Sequence, residues 1–234
     1  MKKKRKILGI IGGLGPAASV YFYDLITNMT EAFCDQDHID LVLSSRASIP
    51  DRTAYITGKS DVSPLPALLE EAKKLEDFGA SVIVIPCNTA HYFYNDVKKE
   101  VRAEMPSIIC ETVRAIKEKE FNKAAILATA GTIGTGLYQK ELEKNGLSFG
   151  VPDEKGQDEL MNIIYRDVKS GIIPPPSSLL NVAAPLFESG CDCAILGCTE
   201  LSLIGKSMND ERFIDSLTVL AECSIRLMGH KVKK

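Results

Sequence analysis

The chain has 234 residues, of which 45% are hydrophobic and 25% are charged, and its formal net charge is −3. That length can build one large domain or two small ones around a sizeable core, which needs no disulfide or metal to hold it together. An acidic balance argues against a nucleic-acid partner. Seven cysteines at irregular spacing argue against a secreted disulfide framework, and no apolar run is long enough for a membrane span. We therefore expect a cytoplasmic protein with reduced thiols.

The strongly basic segment is MKKKRK at the start of the chain. Such a charge run is usually a solvated tail. It could also open a signal peptide with ILGIIGGLG as the hydrophobic region, but glycines and Pro16 interrupt that region, which disfavours the idea.

The first half of the chain alternates short apolar segments with amphipathic ones. The segments that we predict as strands are KILGIIGG, IDLVLSS, SVIVIPC and SIIC. The segments that we predict as helices are PAASVYFYDLITNMTEAF, opened by Pro16, then PALLEEAKKLEDFG, closed by Gly79, and AHYFYNDVKKEVR.

The second half repeats this order. The predicted strands are KAAILATAGTIG, which ends in a Gly/Thr turn, and CAILGC. The predicted helices are LYQKELEKNG, QDELMNIIYRDVKSG, LLNVAAPLFESG and FIDSLTVLAECSIRLMG. The segment SGIIPPPSS is the most loop-like of the chain.

Strands that alternate with helices predict parallel sheets covered on both faces. Residues 6–13 resemble residues 123–131, and residues 79–87 resemble residues 190–198. The predicted fold class is therefore α/β, with two pseudo-symmetric lobes, each a mostly parallel sheet flanked by helices, and the active site in the cleft between them. We expect lobes at 1–115 and 116–234, with the last helix crossing back onto the first lobe.

Cys87 and Cys198 each end a predicted buried strand. Ligands of open α/β sheets bind at that edge, where backbone N–H groups favour anions such as a thiolate. A free cysteine is most often a small buried hydrophobe. The polar tails Asn88-Thr89 and Thr199-Glu200 favour a functional role instead, because a core cysteine needs no polar neighbours. Two facing lobes would bring the thiols to opposite sides of one cleft.

The remaining cysteines carry weaker signals. Cys191 and Cys193 could form a metal site with Cys198, but the spacing is not a standard zinc pattern, so we interpret both as structural and expect no metal. Cys34, Cys110 and Cys223 have no partner motif. His91, four residues after Cys87, is either structural or tunes that thiol.

The segment GLGPAA formally matches a dinucleotide-binding fingerprint. The second strand should then end in an acidic residue, yet it ends in SSRAS, where Arg46 would suit only an NADP phosphate. We favour a tight turn at Gly13 whose N–H groups bind a carboxylate or shape the cleft. Arg52 and Lys169 are the basic residues nearest to loop signals in each half, where a surface charge is the ordinary role.

The segments GIIGGLGP, IPDRTAYI, PCNTAH, LATAGTIGTGLY and GCTEL, in this order, resemble the aspartate/glutamate racemase superfamily, most closely its cofactor-independent aspartate racemases. The resemblance covers nearly the whole chain and implies the two-lobed fold. It implies catalysis by Cys87 and Cys198 with no cofactor, and a side-chain carboxylate of aspartate bound by Arg52 and Lys169. It also implies that the α-carboxylate and ammonium are held by Asn88, Thr89, Thr132 and Thr199.

Racemisation removes a proton from one face of Cα and returns one to the other. Two acid/base groups on opposite sides suit this reaction, and thiols titrate close enough to neutral pH to serve. Glu200 and His91 are candidates to tune the thiols. The segment SSRAS departs from the family pattern and adds Arg46 near the predicted site.

Aspartate, glutamate and a broader set of amino acids therefore remain open as substrates, as does a homodimer. An enzyme like maleate isomerase or arylmalonate decarboxylase would use the same cleft. An NADP-binding reductase and a non-catalytic amino-acid sensor are alternatives of a different class.

Overall fold

The computed structural model describes residues 6–233, so the basic segment at residues 1–5 lies outside it. The strands are Leu8–Gly12 (β1), Leu41–Ser45 (β2), Val82–Val84 (β3), Lys123–Leu127 (β4), Ser148–Gly150 (β5), Cys193–Leu196 (β6) and Phe213–Asp215 (β7). The helices are Pro16–Met29 (α1), Arg52–Ile56 (α2), Leu65–Phe78 (α3), Tyr94–Lys99 (α4), Ile108–Glu118 (α5), Ala130–Thr135 (α6), Leu137–Lys144 (α7), Glu154–Met161 (α8), Ser177–Glu188 (α9), Thr199–Gly205 (α10) and Ser216–Leu227 (α11).

The described strands form two parallel sheets, with orders β2-β1-β3 and β5-β4-β6-β7. In the first sheet Ile10 of β1 pairs with Val84 of β3, and in the second Ile126 of β4 pairs with Ile195 of β6. These central strands are buried along their length, as expected where helices cover both faces of a parallel sheet. The predicted α/β class with two similar lobes is confirmed.

The two sheets share packing. One cluster of buried side chains contains Ile10 of β1, Val84 of β3, Ile126 of β4 and Ile195 of β6. Helix α11 packs against α1 and α5, and α5 also packs against α7. Because α5 spans residue 115 and packs against α7 and α11 of the second half, the division of the chain at that point stays a prediction.

Several predicted elements are wrong in type. The predicted strand SIIC begins α5, because the Ser107 side chain caps the helix by accepting from the backbone N–H of Cys110. The predicted last helix starts later, because Phe213–Asp215 pairs with β6 as a strand and Asp215 then caps α11. Strand β5 was not predicted. No helix among the described residues is long and apolar enough to cross a membrane.

Candidate active site

Cys87 and Cys198, the last residues of the similar segments 79–87 and 190–198, line one cavity. Cys87 follows the carboxyl end of β3, and Cys198 lies between the end of β6 and the start of α10. Both are buried and line a single small cavity that Arg52, Lys169 and Glu200 also line. The centre of a water molecule can occupy a volume of only about 10 Å³ in this inner cavity. That volume is about what one water needs, so an amino acid enters only if the walls move apart.

A larger pocket, the vestibule, adjoins the inner cavity and has a volume of about 540 Å³. The residues that line both spaces are Asp51, Arg52, Lys169 and Glu200. The rest of the vestibule is largely apolar and includes Pro16, Ile49, Val168 and Leu203. Charged side chains therefore form the partition between an outer apolar pocket and the thiols.

Cys198 is held as a protonated thiol. Its Sγ lies 2.9 Å from Oε2 of the buried Glu200, to which the S–H donates. Burial, and then the negative charge and hydrogen bond of Glu200, raise the pKa of Cys198 well above the ordinary thiol value. We expected the helix start to lower this pKa, but α10 has only two turns and its effect is smaller than these two.

Glu200 in turn depends on a glycine. Its Oε1 is buried without a hydrogen-bond partner among the described residues. A Cβ added at Gly15 would lie 2.8 Å from that oxygen, so a side chain there would displace the carboxylate. The glycine turn of β1 and α1 therefore makes room for Glu200.

Arg52 lies on the other side of the cavity, beside Cys87. Its guanidinium is buried and donates to the carbonyl of Leu14 at 2.8 Å and to that of Pro50 at 3.1 Å, while Nε has no partner among the described residues. Burial alone would lower the pKa of Arg52, but the attraction of Cys87 and then of Asp51 raises it. Arg52 therefore places a fixed positive charge beside Cys87.

Lys169, from the second lobe, completes the charged partition between the vestibule and the inner cavity. Its Nζ lies 3.5 Å from a carboxylate oxygen of Asp51 and 3.8 Å from the centre of the Tyr165 ring. Tyr165 donates its hydroxyl to the same carboxylate at 3.2 Å. Burial alone would lower the pKa of Lys169, but neighbouring charges, first that of Glu200, raise it. The predicted pair Arg52 and Lys169 line the same cavity, and Asp51, the residue before Arg52, is the ion-pair partner of Lys169.

Three threonine hydroxyls form a closed triangle at the cavity. Oγ1 of Thr89 lies 3.0 Å from that of Thr129 and 2.9 Å from that of Thr132, and the last two are 3.1 Å apart. Thr129 also accepts from the N–H of Thr132, as the cap of α6. Thr89 and Thr132 were predicted from the resemblance, whereas Thr129 was not. Thr199 lies at the same cavity, with its hydroxyl 3.5 Å from Glu200.

Asn88 lines the cavity, but its side chain is used within the protein. Its Oδ1 accepts from the hydroxyl of Tyr138 at 2.6 Å, and its Nδ2 donates to Oγ of Ser216 at 3.0 Å. Ser216 passes the chain on to the carbonyl of Leu196 at 2.7 Å. This network ties the Cys87 segment to the start of α11 and the end of β6.

His91 contacts the backbone of Cys87 and not its sulfur. Its Nε2 accepts from the N–H of Ile108 at 3.1 Å, so Nδ1 carries the proton and donates to the carbonyl of Cys87 at 2.9 Å. Burial lowers the pKa of His91 to about 4, so the ring is neutral at pH 7. The histidine positions the Cys87 segment rather than exchanging protons with the thiol.

Arg46, a candidate tuning residue, and Gly13, a predicted substrate contact, both have other partners in the structure. The Arg46 guanidinium pairs with Glu70 at 2.7 Å and Glu71 at 3.1 Å on α3, so its charge is directed away from the thiols. Gly13 lines the vestibule, but its N–H donates to Oγ of Ser19 at 2.9 Å and is not free for a carboxylate. Its φ of +84° shows why glycine stands there.

Residues 6–233 hold no group of three or more His, Cys, Asp or Glu side chains arranged to bind a metal. Cys191 and Cys193 are both buried, and burial raises the pKa of Cys193 to about 12.

The family model for Asp/Glu/Hydantoin racemases matches residues 11–223 of this chain. The protein belongs to that family. A broad-specificity amino-acid racemase from Bacillus subtilis is 26% identical over 225 residues, which are 94% of this chain and 96% of that protein. Among solved structures, the aspartate racemase of Picrophilus torridus is 32% identical with a TM-score of 0.82, covering 98% of this chain and 96% of that one.

An aspartate racemase homologue from Pyrococcus horikoshii is 28% identical with a TM-score of 0.78, covering 96% of this chain and 99% of that one. The family resemblance predicted from the sequence is confirmed, and with it the isomerase class.

Proposed function

We propose that this racemase inverts the Cα of a small amino acid, with aspartate as the first candidate, by a two-base mechanism in which Cys87 and Cys198 exchange protons with opposite faces. The observation that carries the proposal is that both thiols line one closed cavity together with Arg52 and Lys169. Aspartate racemases stand among its structural relatives, which supports the substrate.

The groups beside the two thiols suit such a mechanism. Cys198 carries a proton that it donates to Glu200, while the guanidinium of Arg52 lies beside Cys87. In one direction, the Cys87 thiolate takes the Cα proton and the Cys198 thiol supplies a proton to the opposite face. Each step transfers one proton, and the thiols leave the cycle with their roles exchanged. By resemblance Cys87 acts on the D form and Cys198 on the L form.

The carbanion needs stabilisation, which the protein supplies without a cofactor in this proposal. Charge moves onto the α-carboxylate, and hydroxyl donors aimed at that group lower the barrier. Thr89 and Thr129 line the cavity, and their hydroxyls bond to each other and to that of the fully buried Thr132. A bound carboxylate would open the triangle and accept from it.

The side-chain carboxylate of aspartate would replace Asp51 as the partner of Lys169. Asp51 already occupies that position in the empty protein, at 3.5 Å from Nζ. An incoming carboxylate near Arg52 and Lys169 therefore exchanges one ion pair for another while the partition opens. A dicarboxylic substrate gains from both cations, and charge-assisted bonds to arginine are among the strongest that proteins make.

A broader substrate range is the second candidate. The apolar vestibule of about 540 Å³ offers room for side chains longer than that of aspartate. The relative from Bacillus subtilis is a broad-specificity racemase, which agrees with this possibility. The two candidates differ only in which side chains the partition accepts, because both use the same thiols.

The test is incubation of the protein with a panel of L-amino acids in D2O, without added pyridoxal phosphate, metal or nucleotide, followed by NMR of the Cα position. We expect deuteration and racemisation of aspartate, and loss of racemisation in Cys87→Ser and Cys198→Ser, since a hydroxyl is far less acidic than a thiol. Cys34→Ser, at an exposed position, is the matched control and should retain full activity.

Near-normal racemisation by a folded Cys87→Ser or Cys198→Ser protein would contradict the two-thiol mechanism. Deuteration that appears only after pyridoxal phosphate is added would contradict catalysis without a cofactor. If longer neutral substrates react as fast as aspartate, the broader candidate is the correct one.

A further inference from the structure

Two charged side chains of the partition each leave one polar atom without a partner. Within residues 6–233, Oε1 of Glu200 accepts no hydrogen bond and Nε of Arg52 donates none, although both atoms are buried. A buried polar atom without a partner costs free energy, so such an atom at a binding cavity indicates a ligand group that completes it. The two atoms are an acceptor and a donor, which matches the ammonium and carboxylate of an amino acid.

The ammonium of an amino acid needs a negatively charged acceptor, because it brings a full positive charge into a closed cavity. Among the described residues that line the inner cavity, the carboxylates are those of Asp51 and Glu200. Oδ1 of Asp51 accepts from the backbone N–H of Ala54 at 2.7 Å. Oδ2 accepts from the hydroxyl of Tyr165 at 3.2 Å and from Nζ of Lys169 at 3.5 Å. The carboxylate oxygen left free in this part of the structure is therefore Oε1 of Glu200.

Asn88 and Thr89, two of the side chains that the resemblance assigns to the substrate, already have partners. Oδ1 of Asn88 accepts from the hydroxyl of Tyr138 at 2.6 Å, and the hydroxyl of Thr89 lies 3.0 Å from that of Thr129. These groups are neutral, and each would have to give up a bond before it could accept from an ammonium. Glu200 accepts through Oε1 without losing one.

The free oxygen lies beside the thiol and beside open space. Oε2 of Glu200 accepts from Cys198 at 2.9 Å, while Oε1 is 2.8 Å from the place that a Cβ of Gly15 would occupy. Apart from the chain next to Gly15, the described atoms within 4 Å of that place belong to Glu200. Cα of a substrate must contact Cys198 for proton transfer, and the ammonium is bonded to that Cα. The ammonium is therefore within reach of the carboxylate that touches the thiol.

From this geometry we propose that Glu200 binds the ammonium of the substrate through Oε1. It thereby makes the cavity selective for 2-amino acids over acids of the same shape that lack the amino group. The inference rests on the proposed racemase function and adds to it the residue that recognises the amino nitrogen. One oxygen of the carboxylate then bonds to the Cys198 thiol and the other to the substrate.

The test compares L-aspartate with succinate, which has the same carbon chain and both carboxylates but no ammonium. Binding to the full chain is measured as the ligand concentration that halves the rate at which iodoacetamide alkylates Cys87, since Cys198 itself bonds to Glu200. We expect the native protein to bind L-aspartate about tenfold more tightly than succinate, through one charge-assisted contact. Glu200→Gln should remove most of this preference by weakening L-aspartate alone. Glu188→Gln removes the same charge at an exposed position and should retain the preference.

Gly15→Ala is a second variant that keeps the charge of Glu200. Its methyl group would lie 2.8 Å from Oε1 and displace the carboxylate. The φ of Gly15 is −111°, which alanine adopts without strain, so the backbone need not change. We expect the preference for L-aspartate to fall in this variant too. Melting temperatures verify that all three variants fold.

A native protein that binds L-aspartate no more tightly than succinate would overturn the proposal, and so would a preference that survives Glu200→Gln. Equal weakening of both ligands would overturn it as well, because Glu200 would then shape the cavity without binding the ammonium. Protection from alkylation measures binding and not turnover. The two-thiol mechanism therefore fails separately, if Cys87→Ser or Cys198→Ser still racemises aspartate in D2O.

Discussion

Replacing Glu200 by glutamine tests how the protein keeps a proton on Cys198. Glutamine preserves the shape of the side chain and an oxygen that accepts the S–H hydrogen bond, which is 2.9 Å long in the native protein. The negative charge is lost. Because burial and then Glu200 raise the pKa of Cys198, we expect the variant to ionise this thiol at lower pH.

The size of the effect follows from the distance. Two unit charges about 4 Å apart repel by about 4 kcal/mol at an effective dielectric constant of about 20. Loss of about a third of that repulsion already raises the thiolate fraction at neutral pH about tenfold. The direction of the shift is also determined. The thiolate fraction rises as pH approaches the pKa from below, so a lower pKa moves this rise to lower pH. The pH profile of any step that needs the Cys198 thiolate should also shift to lower pH.

The assay is alkylation of Cys198 by iodoacetamide across the neutral and alkaline range, followed on its peptide by mass spectrometry. Cys87 in the same cavity serves as an internal reference for access of the reagent. Glu188→Gln, at an exposed position, controls for the change in net charge. An unchanged profile for Cys198 would refute the electrostatic reasoning, and equal acceleration of both thiols would show a loosened cavity instead.

Three further changes have outcomes that follow from the structure. Because burial lowers the pKa of His91 from 6.5 to about 4, the unfolded chain takes up a proton first as pH falls. This costs about 3 kcal/mol of stability between those values. Urea unfolding of His91→Gln should lack that part of the acid loss, and identical pH slopes would contradict it.

Gly13→Ala should lower the free energy of unfolding by about 2 kcal/mol or more. Its φ of +84° is strained for alanine, and a Cβ would lie 2.4 Å from the backbone carbonyl carbon of Arg46. A near-native stability would count against this account. Asp51→Asn retains a cap for α2 but removes the charge opposite Lys169 at 3.5 Å, so thiol reagents should reach both cysteines faster. An unchanged rate would show that this pair does not close the cavity.

The arrangement of the thiols could be predicted because topology determines it. Cys87 and Cys198 each follow a buried apolar strand, and parallel strands carry their carboxyl ends to one edge of a sheet. Strands β5 and β7 could not be recognised in the same way. Each has only three residues, and pairing with β4 or β6 stabilises them rather than any local pattern.

Side-chain partners were harder to predict than positions. Nothing near Arg46 in the sequence indicates that Glu70 and Glu71 take up its charge, since both lie on a helix more than twenty residues away. Thr129 was missed because its role depends on two hydroxyls that only the fold brings near. The signal that could have found it is the cap pattern at the start of α6, where its Oγ1 accepts from the N–H of Thr132.

The two thiols occupy equivalent positions in the fold but have neighbours of opposite charge. The repeat of the fold gives Cys87 and Cys198 equivalent positions, but a cation lies beside the first and a carboxylate beside the second. This asymmetry does not favour either product, because enantiomers have equal free energy and the two directions must have equal catalytic efficiency.

The two-thiol proposal requires one ionised and one protonated cysteine, and the carboxylate of Glu200 favours the protonated form at Cys198. Each turnover reverses that distribution. Glu200 accepts the hydrogen bond of Cys198 and also lines the vestibule, so on this proposal it connects that thiol to the outer pocket. Loss of this carboxylate should then slow the reprotonation of Cys198 between turnovers and not the proton transfer at Cα.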